Sequence, residues 1–135
     1  MQRPDTPRAE LPALGIDIVR VERIAGVIQR HPIRFPARVL TVSEQEYVRA
    51  RPENFAGRWA AKEAVSKVLG LGIRGIGWPE IEIERLVTGE PKVRLHGGAA
   101  ERAANLGIAG ITVSITHERE YALAVAYGQR AAQEA

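Results

Sequence analysis

The sequence contains no cysteine, which excludes disulfides and thiolate metal sites. A bound metal would have to be held by carboxylates, histidine or substrate oxygens, a donor set suited to hard cations such as magnesium. Aromatic residues make up only 5% of the chain, against 45% hydrophobic residues overall, so the core must be assembled mainly from Ile, Val, Leu and Ala. No apolar run approaches the ~20 residues of a membrane span. The first twelve residues mix charge with proline and carry no hydrophobic segment, so they do not read as a secretory signal, and a cytoplasmic protein is expected. Internal repeats, low-complexity tracts and contiguous basic runs are also missing. The formal net charge is +3, from 19 basic and 16 acidic side chains spread along the chain. That small excess favours an anionic substrate or partner. Its scatter speaks against a nucleic-acid-binding domain, which would show a basic patch interleaved with aromatics.

What is present fits one domain in 135 residues. Residues 1–13 read as a proline- and charge-rich leader, 14–128 as the domain and 129–135 as a tail. Leu14 to Val21 is apolar and β-branched and reads as a strand. Glu22 to Arg30 carries Ile24, Val27 and Ile28 at helical spacing. Pro32 and Pro36 are expected to break the chain after that helix, and Ser43 with Glu46 forms a capping box for a helix reaching about Ala50. The longest helical pattern runs from Glu53 to Leu69, with Gly70 and Gly72 as its stop. Glu80–Leu86 and Lys92–Leu95 flank a turn at Thr88 to Pro91. Gly97–Leu106 is Ala-rich and helical, and Ile111–His117 with Tyr121–Tyr127 reads as an antiparallel pair. Helices and strands alternate without βαβ regularity, so the fold class is α+β: antiparallel strands packed with one long central helix.

Three segments carry chemistry. On the central helix, Ala61, Ala64, Val65 and Val68 form an apolar stripe of small residues, while Glu63 and Lys67 share another face. That pair reads either as an exposed helix ion pair or as part of a site. Asp17 points the same way as Val19 and Val21 along the first strand. A carboxylate there needs a cation, a metal or a cluster of backbone donors, since an unpaired buried charge is costly. In the last strand pair, Val113, Ile115 and His117 share one face. Ala122, Ala124 and Ala126 form another, suited to tight packing against a helix or another subunit.

Four blocks together resemble the holo-acyl-carrier-protein synthase family, the small bacterial 4'-phosphopantetheinyl transferases. They are Gly15-Ile16-Asp17-Ile18-Val19 with Arg23; Arg38-Val39-Leu40-Thr41 with Glu44; Gly57 to Lys67 running into Gly70-Leu71-Gly72-Ile73; and Ser114-Ile115-Thr116-His117-Glu118 with Tyr121-Ala122. Trp78, Gly89 and Pro91 also match, and the likeness covers about residues 14–128. The resemblance implies a 4'-phosphopantetheinyl transferase-like fold, a homotrimer with sites between subunits, and transfer of phosphopantetheine from coenzyme A to a serine of acyl carrier protein. Asp17 and Glu63 match the magnesium ligands, and Lys67 joins them as the catalytic set. Arg58, Ser66, Lys67 and His117 match positions that contact coenzyme A, with Gly70 and Pro91 shaping its cleft. Lys62 is a further candidate, with Arg58 and His117, for the ribose phosphate. Arg23 matches a position that docks the carrier. Such an enzyme would serve fatty acid and lipid biosynthesis.

Departures are Trp59 where Phe is usual, Thr116 where Ser is common, Arg20 where an acidic residue is frequent, and a longer leader. The serine's proton would pass to a water or to one of the two carboxylates. A non-catalytic module holding coenzyme A or a partner is the alternative reading, and the intact Asp17, Glu63 and Lys67 argue against it.

Overall fold

The computed structural model describes residues 13–70 and 75–132; the leader up to residue 12, the second glycine of the helix stop (Gly72) and the last three residues of the tail lie outside them. Strand β1 (Ala13–Arg20) leads into helix α1 (Val21–Arg30), followed by the short helices α2 (Arg34–Val39) and α3 (Val42–Val48) and the long helix α4 (Pro52–Leu69). A 3₁₀ turn at Trp78–Glu80 enters the hairpin β2 (Ile81–Arg85) and β3 (Pro91–Leu95). Helix α5 (Gly97–Asn105) then precedes β4 (Ile108–His117) and β5 (Tyr121–Arg130). The strands form an antiparallel sheet ordered β1-β5-β4 and a separate two-stranded β2-β3 sheet, giving the expected α+β class. No helix among the described residues is long and apolar enough to cross a membrane.

The sheet packs against α4 through its smallest side chains. Strand alternation turns Gly15, Asp17 and Val19 of β1, and Ala122, Ala124 and Ala126 of β5, to the helix side. A Cβ on Gly15 would lie 2.0 Å from the carbonyl oxygen of Ala64, so β1 and α4 meet backbone to backbone. The three alanines of β5 are fully buried; α4 is what covers that face, which is therefore closed within the protomer. The stripe Ala61, Ala64, Val65 and Val68 is buried as expected, but so are Phe55, Ala56 and Ala60. Helix α4 is buried nearly all round, with the sheet on one side and α1, the hairpin and α5 on the others. It starts at Pro52, pre-set for a first helical turn, and stops at Gly70 in the left-handed region (φ 76°).

All the Phe and Trp residues of the chain gather in one place. Phe35 stacks on Phe55 with centroids 4.9 Å apart, Phe35 meets Trp59 at 5.9 Å, and Trp59 meets Trp78 at 4.9 Å. This row ties α2 and the 3₁₀ turn to α4.

Several boundaries differ from the sequence reading. Val21 opens α1 instead of closing β1. Pro36 stands in the first turn of α2, where its missing N–H is not needed, so it starts a helix instead of breaking one. The capping box is Thr41 with Glu44, not Ser43 with Glu46, and its helix ends at Val48. β4 begins at Ile108 because an irregularity between Ile108 and Gly110 lets pairing continue, and β5 runs on to Arg130, two residues into the segment read as a tail.

Candidate active site

The close approach of β1 to α4 sets Asp17 against one end of the helix. Opposite Asp17 across the sheet stands Ala124, too small to cover it. From α4, the Lys67 ammonium donates to the carbonyl oxygen of Ile16 at 2.7 Å and lies 3.5 Å from Asp17 Oδ1. Burial raises the pKa of Asp17, against the opposing pull of Lys67 and Arg23. Glu63 is raised by burial and by the charge of Asp17, again against Lys67 and Arg23. Two carboxylates, from a strand and a helix, thus share a half-buried space in which desolvation and repulsion outweigh the cations beside them. This is the electrostatic signature of a site short of positive charge, and its hard oxygen donors suit magnesium. Among the described residues no group of three or more His, Cys, Asp and Glu side chains gathers to hold a metal. Asp17 and Glu63 would leave the remaining positions of a hard cation to water and substrate oxygens.

A second feature lies about three helical turns of α4 away from Gly70, towards its N-terminus. Arg58 is buried at 8% exposure with its guanidinium over the Tyr47 ring, 4.7 Å from the centroid. Arg85 stacks on the same ring at 5.0 Å and Arg51 at 5.5 Å. Burial lowers the Arg58 pKa, with Tyr47 and Glu44 partly offsetting it, and its Nε is buried without a hydrogen-bond partner. The exposed guanidinium groups of Arg51 and Arg85, beside the buried Arg58, suit an anion with several oxygens. Pro91 pairs with Arg85 across the hairpin, so it belongs to this edge of the molecule.

Comparison with known proteins decides the family. Residues 13–126 match the model of the 4'-phosphopantetheinyl transferase superfamily. The chain belongs to that superfamily. It is 45% identical over 115 residues to the holo-acyl-carrier-protein synthase of Gloeobacter violaceus, covering 82% of this chain and 87% of the relative. It is 47% identical over 115 residues to that of Moorella thermoacetica, covering 83% and 89%. Among solved structures it resembles the Helicobacter pylori holo-acyl-carrier-protein synthase in complex with coenzyme A, at TM-score 0.78 and 31% identity over 86% of this chain and 99% of that one. The Neisseria meningitidis synthase superposes at TM-score 0.79 with 29% identity, over 87% and 98%. The membership and the fold expected from the four blocks both hold.

The candidate residues read from the sequence are spread over several places in this structure. Asp17, Glu63, Lys67 and Arg23 come together, Arg23 from the exposed face of α1. His117 shares the α4 side of the sheet with Asp17 but stands two strands across, opposite Ala122, next to Gly57 and at the rim of a cleft with Ile18 and Tyr121. Arg58 and Pro91 lie at the Tyr47 edge. Gly70 is exposed, and its left-handed backbone ends α4.

Two candidates turn inward in this chain. Lys62 is 0% exposed, and its ammonium is fully engaged by Glu44, Trp78 and Ile81, so it holds the interior. Ser66 is 2% exposed and its hydroxyl donates back to the carbonyl of Glu63 at 2.7 Å, so it turns away from solvent. Tyr47, Arg51 and Arg85 escaped the sequence reading, because an arginine cluster drawn from α3, the α3–α4 link and β2 leaves no local pattern.

Proposed function

We propose that this chain transfers the 4'-phosphopantetheine group of coenzyme A to a serine of apo-acyl carrier protein, releasing adenosine 3',5'-bisphosphate, with magnesium held by Asp17 and Glu63. The observation that carries the reading is the pair of carboxylates with raised pKa values beside Lys67, in a chain of this superfamily. Bound magnesium would neutralise diphosphate charge as it develops. Lys67 is placed to stabilise the phosphoryl group or the departing nucleotide. In the reaction the serine Oγ forms a bond to the phosphorus attached to pantetheine, and the bond to the bridging diphosphate oxygen breaks. That oxygen leaves with the electron pair on the nucleotide, and the serine proton passes to a water or to one of the two carboxylates. Arg58, with Arg51 and Arg85 around Tyr47, is suited to the ribose phosphate, and His117 and Pro91 to the flanks of the same substrate.

Arg23 would dock the acidic carrier, extended by Arg30 on α1 and Arg34 on α2. The enzyme would work as a homotrimer. Support comes from the sheet face turned away from α4, where Leu14 (63% exposed), Ile16 (57%), Ile18 (59%), Val125 and Tyr127 form an apolar surface. The alanines of β5 lend no support, being already covered.

The test is incubation with coenzyme A, an apo-carrier protein and magnesium, followed by intact-mass measurement of the carrier. The expected result is a phosphopantetheine adduct on the carrier, abolished by chelator, with one adenosine bisphosphate released per adduct. An unmodified carrier in the presence of bound coenzyme A would leave a non-catalytic binding module.

A further inference from the structure

Lys62 and Glu63 are neighbours on α4 with opposite fates. Glu63 faces the site, while Lys62 reaches into the interior on the hairpin side. Its ammonium has three protons and three acceptors: Glu44 Oε1 at 2.8 Å, the carbonyl oxygen of Ile81 at 2.6 Å and that of Trp78 at 3.2 Å. Glu44 accepts from the backbone N–H of Thr41 (2.8 Å) and of Ile83 (2.9 Å) as well. The Thr41 hydroxyl accepts from the Glu44 N–H and donates to Glu82 Oε2 at 2.9 Å, and His96 Nε2 donates to Glu82 Oε1 at 2.9 Å. Burial works against the Glu82 carboxylate, but these bonds from His96 and Thr41 outweigh it and hold its pKa below the usual value. One network therefore joins the start of α3, the middle of α4, β2 and the residue before α5.

On the sheet side the polar tie of α4 is Lys67, near its C-terminal end, donating to the carbonyl oxygen of Ile16. Otherwise α4 rests there on apolar contacts, the alanines of β5, Gly15 and Ile115 of β4, which set its distance from the sheet with little directional preference. A rotation of about 10° moves a side-chain tip at about 5–6 Å from the helix axis by about 1 Å, enough to cost on the order of a hundredfold in a reaction that depends on placement. We propose that the buried Lys62–Glu44 pair, with Thr41, Glu82 and His96, is a positioning device that fixes the rotation of α4 and so holds Glu63 against Asp17 at the spacing a divalent cation needs. This rests on the reading of Asp17 and Glu63 as a metal pair.

The experiment compares Glu44→Met/Lys62→Met, which exchanges the ion pair for apolar chains of similar length and also removes partners of the Thr41 and Ile83 N–H groups and of the Trp78 and Ile81 carbonyls, with the shape-conserving Thr41→Val. Manganese affinity without substrates is measured by paramagnetic resonance, alongside kcat and the KM for coenzyme A. The folded double variant is expected to keep its KM within about twofold and to lose about tenfold or more in both manganese affinity and kcat. Thr41→Val is expected to lose about threefold in both, and it decides alone if the double variant does not fold. Wild-type manganese affinity and kcat in the folded variants would overturn the proposal, as would a loss confined to KM. Wild-type affinity that survives Asp17→Asn would also overturn it, by removing the metal pair. A wild type that binds manganese through Asp17 without transferring phosphopantetheine would refute the reaction and leave the positioning role standing.

Discussion

Asp17 and Glu63 are held half-buried beside each other in the folded chain, and that has an opposite sign for stability and for activity. Both pKa values lie above those of the unfolded chain. Just above the ordinary carboxylate range the folded state therefore binds more protons, and stability falls as pH rises through that window. Asp17→Asn and Glu63→Gln are each expected to abolish transfer yet raise the thermal midpoint at neutral pH without divalent cation. The gain is on the order of 1 kcal/mol or less, because solvent screens this half-buried pair. Calorimetry at pH 7 checks it, and a lowered midpoint in both variants would contradict the raised pKa values. Arg23 is the neighbouring case. Arg23→Glu is expected to raise the KM for the carrier about tenfold or more while leaving that for coenzyme A nearly unchanged, and to flatten the salt dependence. Steady-state kinetics varying each substrate in turn decides this.

Among the elements, the contact of β1 with α4 is the most demanding. The atom that a Gly15 side chain would strike is backbone, so no rotamer change relieves it. Gly15→Ala must part strand and helix, at a cost of about 1–3 kcal/mol, and should weaken metal binding by drawing Asp17 from Glu63. Urea unfolding and manganese titration on the same preparation check the two effects. The central helix, its glycine stop and both hairpins were legible in the sequence because each has a local signature. Asp17 was legible because strand alternation placed it among inward-facing residues. Local signals misled where two solutions fit equally. Ser43 with Glu46 and Thr41 with Glu44 both satisfy the same capping pattern, and the winner is the pair whose glutamate also meets Lys62 eighteen residues on. Lys62 looked like a phosphate ligand for the same reason: which side of an all-round buried helix is solvent is settled by its distant neighbours.

For the molecule as a whole, the exposed apolar sheet face marks the boundary of what one protomer can explain. Ile16 and Ile18 are more than half exposed here. Ile16→Glu should therefore disturb the protomer little, within about 0.5 kcal/mol, but should break a trimer built on that face. Light scattering is expected to show the mass falling to one third with circular dichroism retained. An unchanged mass would mean that the face is not the interface.

The gathering of every Phe and Trp into one row also gives the protein a built-in optical reporter. Its only two indoles, Trp59 and Trp78, lie 4.9 Å apart on α4 and on the turn entering the hairpin. At that separation their excited states couple, so emission excited at the red edge of absorption, where indole absorbs and the three tyrosines do not, reports on this single junction. Partial detachment of the hairpin would be visible before the sheet melts, without any label being added.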